Sequence, residues 1–97
     1  MKKVYLRATK APEIAGLRIV RQSGPVIEGE TELFPRRLRQ ALDKAGRKDV
    51  DILVYGKHVI DMPGVRTPHP AVFEDPEVRR ALAALDPDLM KWLLRFR

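Results

Sequence analysis

Apolar and polar residues alternate over Val4–Ala8, with Val4, Leu6 and Ala8 set against Tyr5 and Arg7. A period of two predicts a half-buried first strand. Thr9-Lys10-Ala11-Pro12 ends it, because proline gives no N–H to a ladder and restrains Ala11 to extended geometry. Alternation returns at Leu17–Gln22, with Leu17, Ile19 and Arg21 on one face and Arg18, Val20 and Gln22 on the other. Gly24-Pro25 reads as a turn, and Val26-Ile27-Glu28 as a short returning strand.

The period then changes. Phe34, Leu38, Ala41, Leu42 and Ala45 recur at helical spacing and predict an amphipathic helix over Phe34–Ala45. Pro35 suits its first turn and Gly46 its end. Next comes Lys48–Met62, KDVDILVYGKHVIDM, the expected centre of the fold. Ile52 and Val54 alternate with Leu53 and Tyr55, Gly56-Lys57 suits a type II′ connection, and His58–Asp61 is the return run of a β-hairpin. Both faces of the hairpin are partly apolar. Helices in the monomer must therefore cover both faces, or a partner must cover what they leave open.

Pro63–Asp75 carries Pro63, Pro68 and Pro70, and predicts an ordered, extended connector anchored by Val65, Val72 and Phe73. A second helix follows, with Asp75 as cap, Pro76 at its first position and Glu77 in the first turn. Val78, Ala81, Leu82 and Leu85 are its apolar stripe. Asp86-Pro87-Asp88 repeats the start signal and marks a third helix or a kink. These elements predict one α+β domain over residues 1–97. Its small, mostly antiparallel sheet comprises the N-terminal strands and the central hairpin, packed against one internal and two short C-terminal helices. The expected layout places the helices on one face, with residues 63–75 as a connector.

Composition narrows the function classes. The chain has 97 residues, enough for one domain core. It has no cysteine, so it offers no disulfide, thiol nucleophile or cysteine metal cluster, and the compartment stays open on that count. No apolar stretch is long enough to span a bilayer, and the N-terminus lacks the apolar run of a signal peptide. The expectation is a cytoplasmic protein that does not engage membranes. Absent asparagine, two glutamines and eight prolines match one thermophile-like composition, as would high-GC coding bias.

The net charge of +6 is unevenly spread. Residues 1–48 hold 12 basic and 5 acidic side chains, whereas residues 49–97 hold 7 and 8. Arg36, Arg37, Arg39, Lys44, Arg47 and Lys48 give six basic residues against the single acid Asp43 between positions 36 and 48. Arginines in such a run can bridge phosphate oxygens without reading sequence, although a solvated helix face is the plainer reading. Lys2, Lys3 and Lys10 are candidate additions. Arg36 and Arg37 also stand near a helix N-terminus, where cations are disfavoured, which points to a partner or to a local acid such as Glu32.

The last segment, LMKWLLRFR, is apolar over a wide arc formed by Leu89, Met90, Trp92, Leu93, Leu94 and Phe96. A chain this small needs much of that arc inside. The excess marks Leu89, Met90, Trp92, Leu93 and Phe96 as a candidate protein interface.

Catalytic signatures are missing. Ser23 is the only serine, the glycines are isolated, and no HExxH or zinc-ligand spacing occurs. Asp49, Asp51 and Asp61 at the base of the hairpin fit strand-end capping and salt bridging better than a cation site. No cofactor, metal or small-molecule substrate is expected, and an enzyme ranks third. The first expectation is a non-catalytic interaction or assembly module, docking on a protein partner or a second copy through the C-terminal arc, with the basic helix steering toward an acidic partner. The alternative is backbone-directed, sequence-nonspecific binding of DNA or RNA by the 36–48 region.

Overall fold

The structure, a computed structural model of the chain, describes residues 1–56 and 69–94. Among these residues, four strands, β1 (Lys2–Arg7), β2 (Leu17–Ser23), β3 (Val26–Thr31) and β4 (Asp51–Tyr55), form one sheet in the order β2-β3-β1-β4. Every pairing is antiparallel, from Lys2 opposite Thr31 to Arg7 opposite Val26 across β1 and β3. The α+β class and the small antiparallel sheet expected from the alternating segments are present. Among the described residues, however, the inner strands are β3 and β1. The central segment contributes β4, which among the described residues pairs with β1 alone. Gly56 has a positive φ of +69°, and Lys57, the other residue of the predicted turn, lies outside the described residues. The return run His58–Asp61 lies outside the described residues.

Two register shifts alter the faces that simple alternation predicts. Val20 is passed over between the Ile19–Gly29 and Arg21–Glu28 pairs. Leu53 is passed over between Tyr5–Val54 and Leu6–Ile52. A bulge sets two residues against one and moves the later side chains to the opposite face. Leu53 and Val54 consequently join one apolar cluster, whereas Ile52 and Tyr55 pack against the other.

The first helix, α1 (Pro35–Lys44), lies on the face formed by Val4, Leu6, Ala8 and Ile27. Leu38 and Leu42 are its fully buried residues. The helix ends as its sequence dictates. Gly46 takes φ +74°, the Arg47 N–H reaches the Leu42 carbonyl at 2.9 Å and the Gly46 N–H reaches the Asp43 carbonyl at 3.1 Å. This paired closure is the Schellman arrangement, which a left-handed glycine makes available. Phe34 departs from the predicted stripe. It is the extended residue preceding the helix, with φ −69° and ψ 159°, so it does not share the face of Leu38 and Leu42. Ala45 is likewise exposed, beyond the last helical turn.

Three further helices, α2 (Ala71–Glu74), α3 (Pro76–Leu85) and α4 (Pro87–Leu94), build a second apolar cluster with Tyr5, Val26, Leu53 and Val54. The sheet therefore has helices on both faces rather than one, meeting the demand set by the two-sided apolar pattern of β4. Residues 63–68 of the predicted connector lie outside the described residues, and the remainder is not extended throughout. After Pro70 the chain turns into the short helix α2, with Val72 buried. Proline fixes its own φ in the helical range and leaves the next residues free to continue. His69 helps start the turn, its Nδ1 accepting from the Ala71 N–H at 3.1 Å.

Both Asp-Pro pairs act as predicted, and each has a second task. Asp75 Oδ1 accepts from the Glu77 N–H and Asp86 Oδ1 from the Leu89 N–H, each at 3.0 Å. Their other oxygens face β1. Asp75 Oδ2 stands 3.6 Å from the Arg7 guanidinium, and Asp86 Oδ2 accepts from the Tyr5 hydroxyl at 3.1 Å. Tyr5 and Arg7 lie two positions apart and so share a strand face. One face of β1 thus holds the start of each longer C-terminal helix.

Candidate polyanion-binding surface

α1 runs back along the sheet from the Lys2 end of β1 to its Lys10 end. Its entry is held by the Tyr55 hydroxyl, which donates to the Leu33 carbonyl at 2.6 Å. Its exit is held by Arg47, which donates to the Lys10 carbonyl at 2.6 Å. Ten residues of α-helix span about 15 Å, so the two ends of α1 present separate surfaces.

The six basic residues of 36–48 divide accordingly. Arg39 is occupied internally: it bonds Asp43 at 3.1 Å, the Arg47 carbonyl at 3.1 Å and the Val50 carbonyl. Arg47 bonds Asp49 through Nε and a terminal nitrogen, each at 3.1 Å, besides the carbonyls of Lys10 and Ala11. The Arg47 guanidinium holds the Asp49 carboxyl below its ordinary range. These two arginines clasp the 46–50 turn onto α1 and onto the segment that follows β1. Arg36, Arg37, Lys44 and Lys48 are exposed, and their side chains have no hydrogen-bond or ion-pair partner among the described residues. Arg36 and Arg37 stand at the entry end, and Lys44 and Lys48 at the exit end, near Lys10.

The entry end gains further charge through the sheet. β1 begins there, and Lys2 and Lys3 pair with Thr31 and Glu30, immediately before the loop into α1. Both lysines are exposed. Of the nearby acids, Glu30 pairs with Arg18 at 2.9 Å. Glu32 is exposed but neutralises neither Arg36 nor Arg37 through an ion pair. The first turn of α1 contains no acidic residue, and no side chain among the described residues caps it.

The same end carries an aromatic ring. Phe34 is 75 % exposed, the most open large apolar side chain among the described residues. Its backbone is well held. Buried Thr31 donates to the Gly16 carbonyl at 2.7 Å and accepts from the Leu33 N–H at 3.0 Å. The Phe34 carbonyl accepts the first helical bond, from the Leu38 N–H at 2.8 Å. Helical spacing alone puts Phe34 in the core stripe. The available signal was Pro35, whose position at the start of the helix puts Phe34 outside it.

The C-terminal arc is placed differently. Leu89, Met90 and Leu93 are buried in the monomer's own core, and Trp92 is half-buried against it. Leu94 is the open apolar residue of α4, at 42 % exposure. Phe96 lies outside the described residues. Asp49 and Asp51 form ion pairs with Arg47 and Arg7, and Asp61 also lies outside the described residues.

Two carboxylates converge on Tyr5, those of Glu28 and Asp86, at 3.2 and 3.1 Å from its hydroxyl. Arg21 donates to both oxygens of Glu28 and to the Leu85 carbonyl. Tyr5 and Glu28 are 2 % and 4 % exposed, so this cluster joins sheet to helices and offers no access to a substrate. No helix of the described residues is long and apolar enough to cross a membrane. Comparisons with protein-family models, curated proteins and solved structures find no match to this chain.

Proposed function

We propose that the protein binds the phosphate backbone of nucleic acid, without catalysis, at the end of the sheet that carries Lys2, Lys3, Arg36 and Arg37. The observation that carries this reading is the pair Arg36 and Arg37: exposed, with side chains that have no partner among the described residues, and at the same end of the sheet as two lysines. Guanidinium groups left without an internal carboxylate are suited to phosphate oxygens, which they engage through two donors. Burial of Leu89, Met90 and Leu93 moves protein docking through the C-terminal arc behind this reading, because it removes most of the surface such docking would use.

The test is fluorescence anisotropy with a labelled oligonucleotide at low salt, comparing the wild type with Arg36→Glu/Arg37→Glu and Lys44→Glu/Lys48→Glu. Binding should be lost with the first pair and weakened much less with the second. Equal losses would move the site away from the entry end of α1, and absence of binding by the wild type would overturn the reading.

A further inference from the structure

We infer that Phe34 is a stacking platform for a nucleobase, and that the surface prefers single-stranded over duplex nucleic acid. This rests on the phosphate-binding reading above and extends it to the class of ligand.

The ring is open and its backbone is fixed. Phe34 is 75 % exposed, while Tyr55, Thr31 and the first helical hydrogen bond hold the residues around it. A large apolar side chain gains by leaving water, so its exposure on a well-held loop favours a ligand with an apolar face. Its neighbours Arg36 and Arg37 select an anionic ligand. A flat π-face and an anionic backbone within one short segment are the two features of single-stranded nucleic acid. Proteins that bind such strands combine an electropositive track with exposed aromatic rings, and the contact tolerates any sequence because every base has a π-face. In a duplex the bases are stacked on one another, so the ring gains nothing, and the basic residues alone supply binding.

The experiment measures affinity for a labelled twelve-nucleotide single strand, the same strand with abasic sites throughout, and the corresponding duplex. Wild type, Phe34→Ala, Phe34→Trp and Arg36→Glu/Arg37→Glu are compared. Phe34→Ala should weaken single-strand binding about tenfold, leave duplex binding within about twofold, and bind the intact strand no better than wild type binds the abasic one. Phe34→Trp should keep or improve single-strand affinity. If Phe34→Ala binds all three ligands as wild type does while the double glutamate variant binds none, the stacking inference falls and the phosphate-binding reading stands. If wild type binds none, both fall. If polyglutamate displaces the strand as effectively as unlabelled strand does, and Phe34→Ala makes no difference, the surface belongs to an acidic protein and the inference is overturned.

Discussion

Tyr5 donates to Oδ2 of Asp86 at 3.1 Å, across 81 positions of sequence, while the other oxygen of Asp86 caps α4. One carboxylate thus starts a helix and fastens it to the inner strand β1. Arg7 and Asp75 repeat the arrangement at the start of α3. A cap that also makes a tertiary bond should couple the two residues energetically. In a double-mutant cycle of Tyr5→Phe with Asp86→Ala, read by urea unfolding, we expect a coupling of about 1 kcal/mol. Additive losses would mean that Asp86 acts on α4 alone.

The same cluster predicts an alkaline weakness. Burial first, then the charges of Asp86 and Glu28, push the Tyr5 phenol far above its ordinary value, and burial raises Tyr55. Below the unfolded tyrosine pKa of about 10, both states keep the proton. Above it the unfolded chain loses the proton and the folded chain retains it, so stability falls as pH rises toward the folded value. Each such tyrosine contributes a slope of up to about 1.4 kcal/mol per pH unit. Urea unfolding between pH 9 and 11 should show a shallower decline in Tyr5→Phe than in wild type. Parallel curves would contradict the burial assignment.

Arginines close together in sequence should behave in opposite ways. Arg39→Ala strips donors from the carbonyls of Arg47 and Val50 and should destabilise by about 1–3 kcal/mol. Arg36→Ala and Arg37→Ala remove no side-chain bond among the described residues, and each should stay within about 0.5 kcal/mol of wild type. Thermal or urea unfolding of the three variants checks this. Similar losses in all three would show that Arg36 and Arg37 serve the fold.

On α4, adjacent leucines provide the contrast. Leu93→Ala opens a cavity in the second cluster and should destabilise by about 2–5 kcal/mol. Leu94, still 42 % exposed, should lose much less when changed to alanine. A small effect at Leu93 would reopen the C-terminal arc as a docking surface.

Much of the fold was legible where one local signal decides the outcome. Alternation located β1, β2 and the start of β3. Gly46 marked the end of α1, and the two Asp-Pro pairs marked α3 and α4. What escaped depends on contacts distant in sequence. Glu28 looks like a surface acid until Tyr5 and Arg21 are brought to it from two other strands. Leu53 breaks the alternation of β4 because a bulge against β1 places it beside Val54. The basic run 36–48 reads as one patch. Yet Arg39 and Arg47 turn inward to backbone carbonyls, and β-pairing brings Lys2 and Lys3 to the end where Arg36 and Arg37 remain. Charge density is visible in a sequence, but the partner of each charge is set by the fold.

If Lys2, Lys3, Arg36 and Arg37 each neutralise a phosphate, salt must weaken binding in proportion to their number. Each neutralised phosphate on a single strand contributes about −0.7 to the slope of log K against log salt concentration. Four contacts predict a slope of about −3, which Arg36→Ala/Arg37→Ala should reduce to about −1.4. An unchanged slope in that variant, or a wild-type protein that does not bind at low salt, would contradict the account.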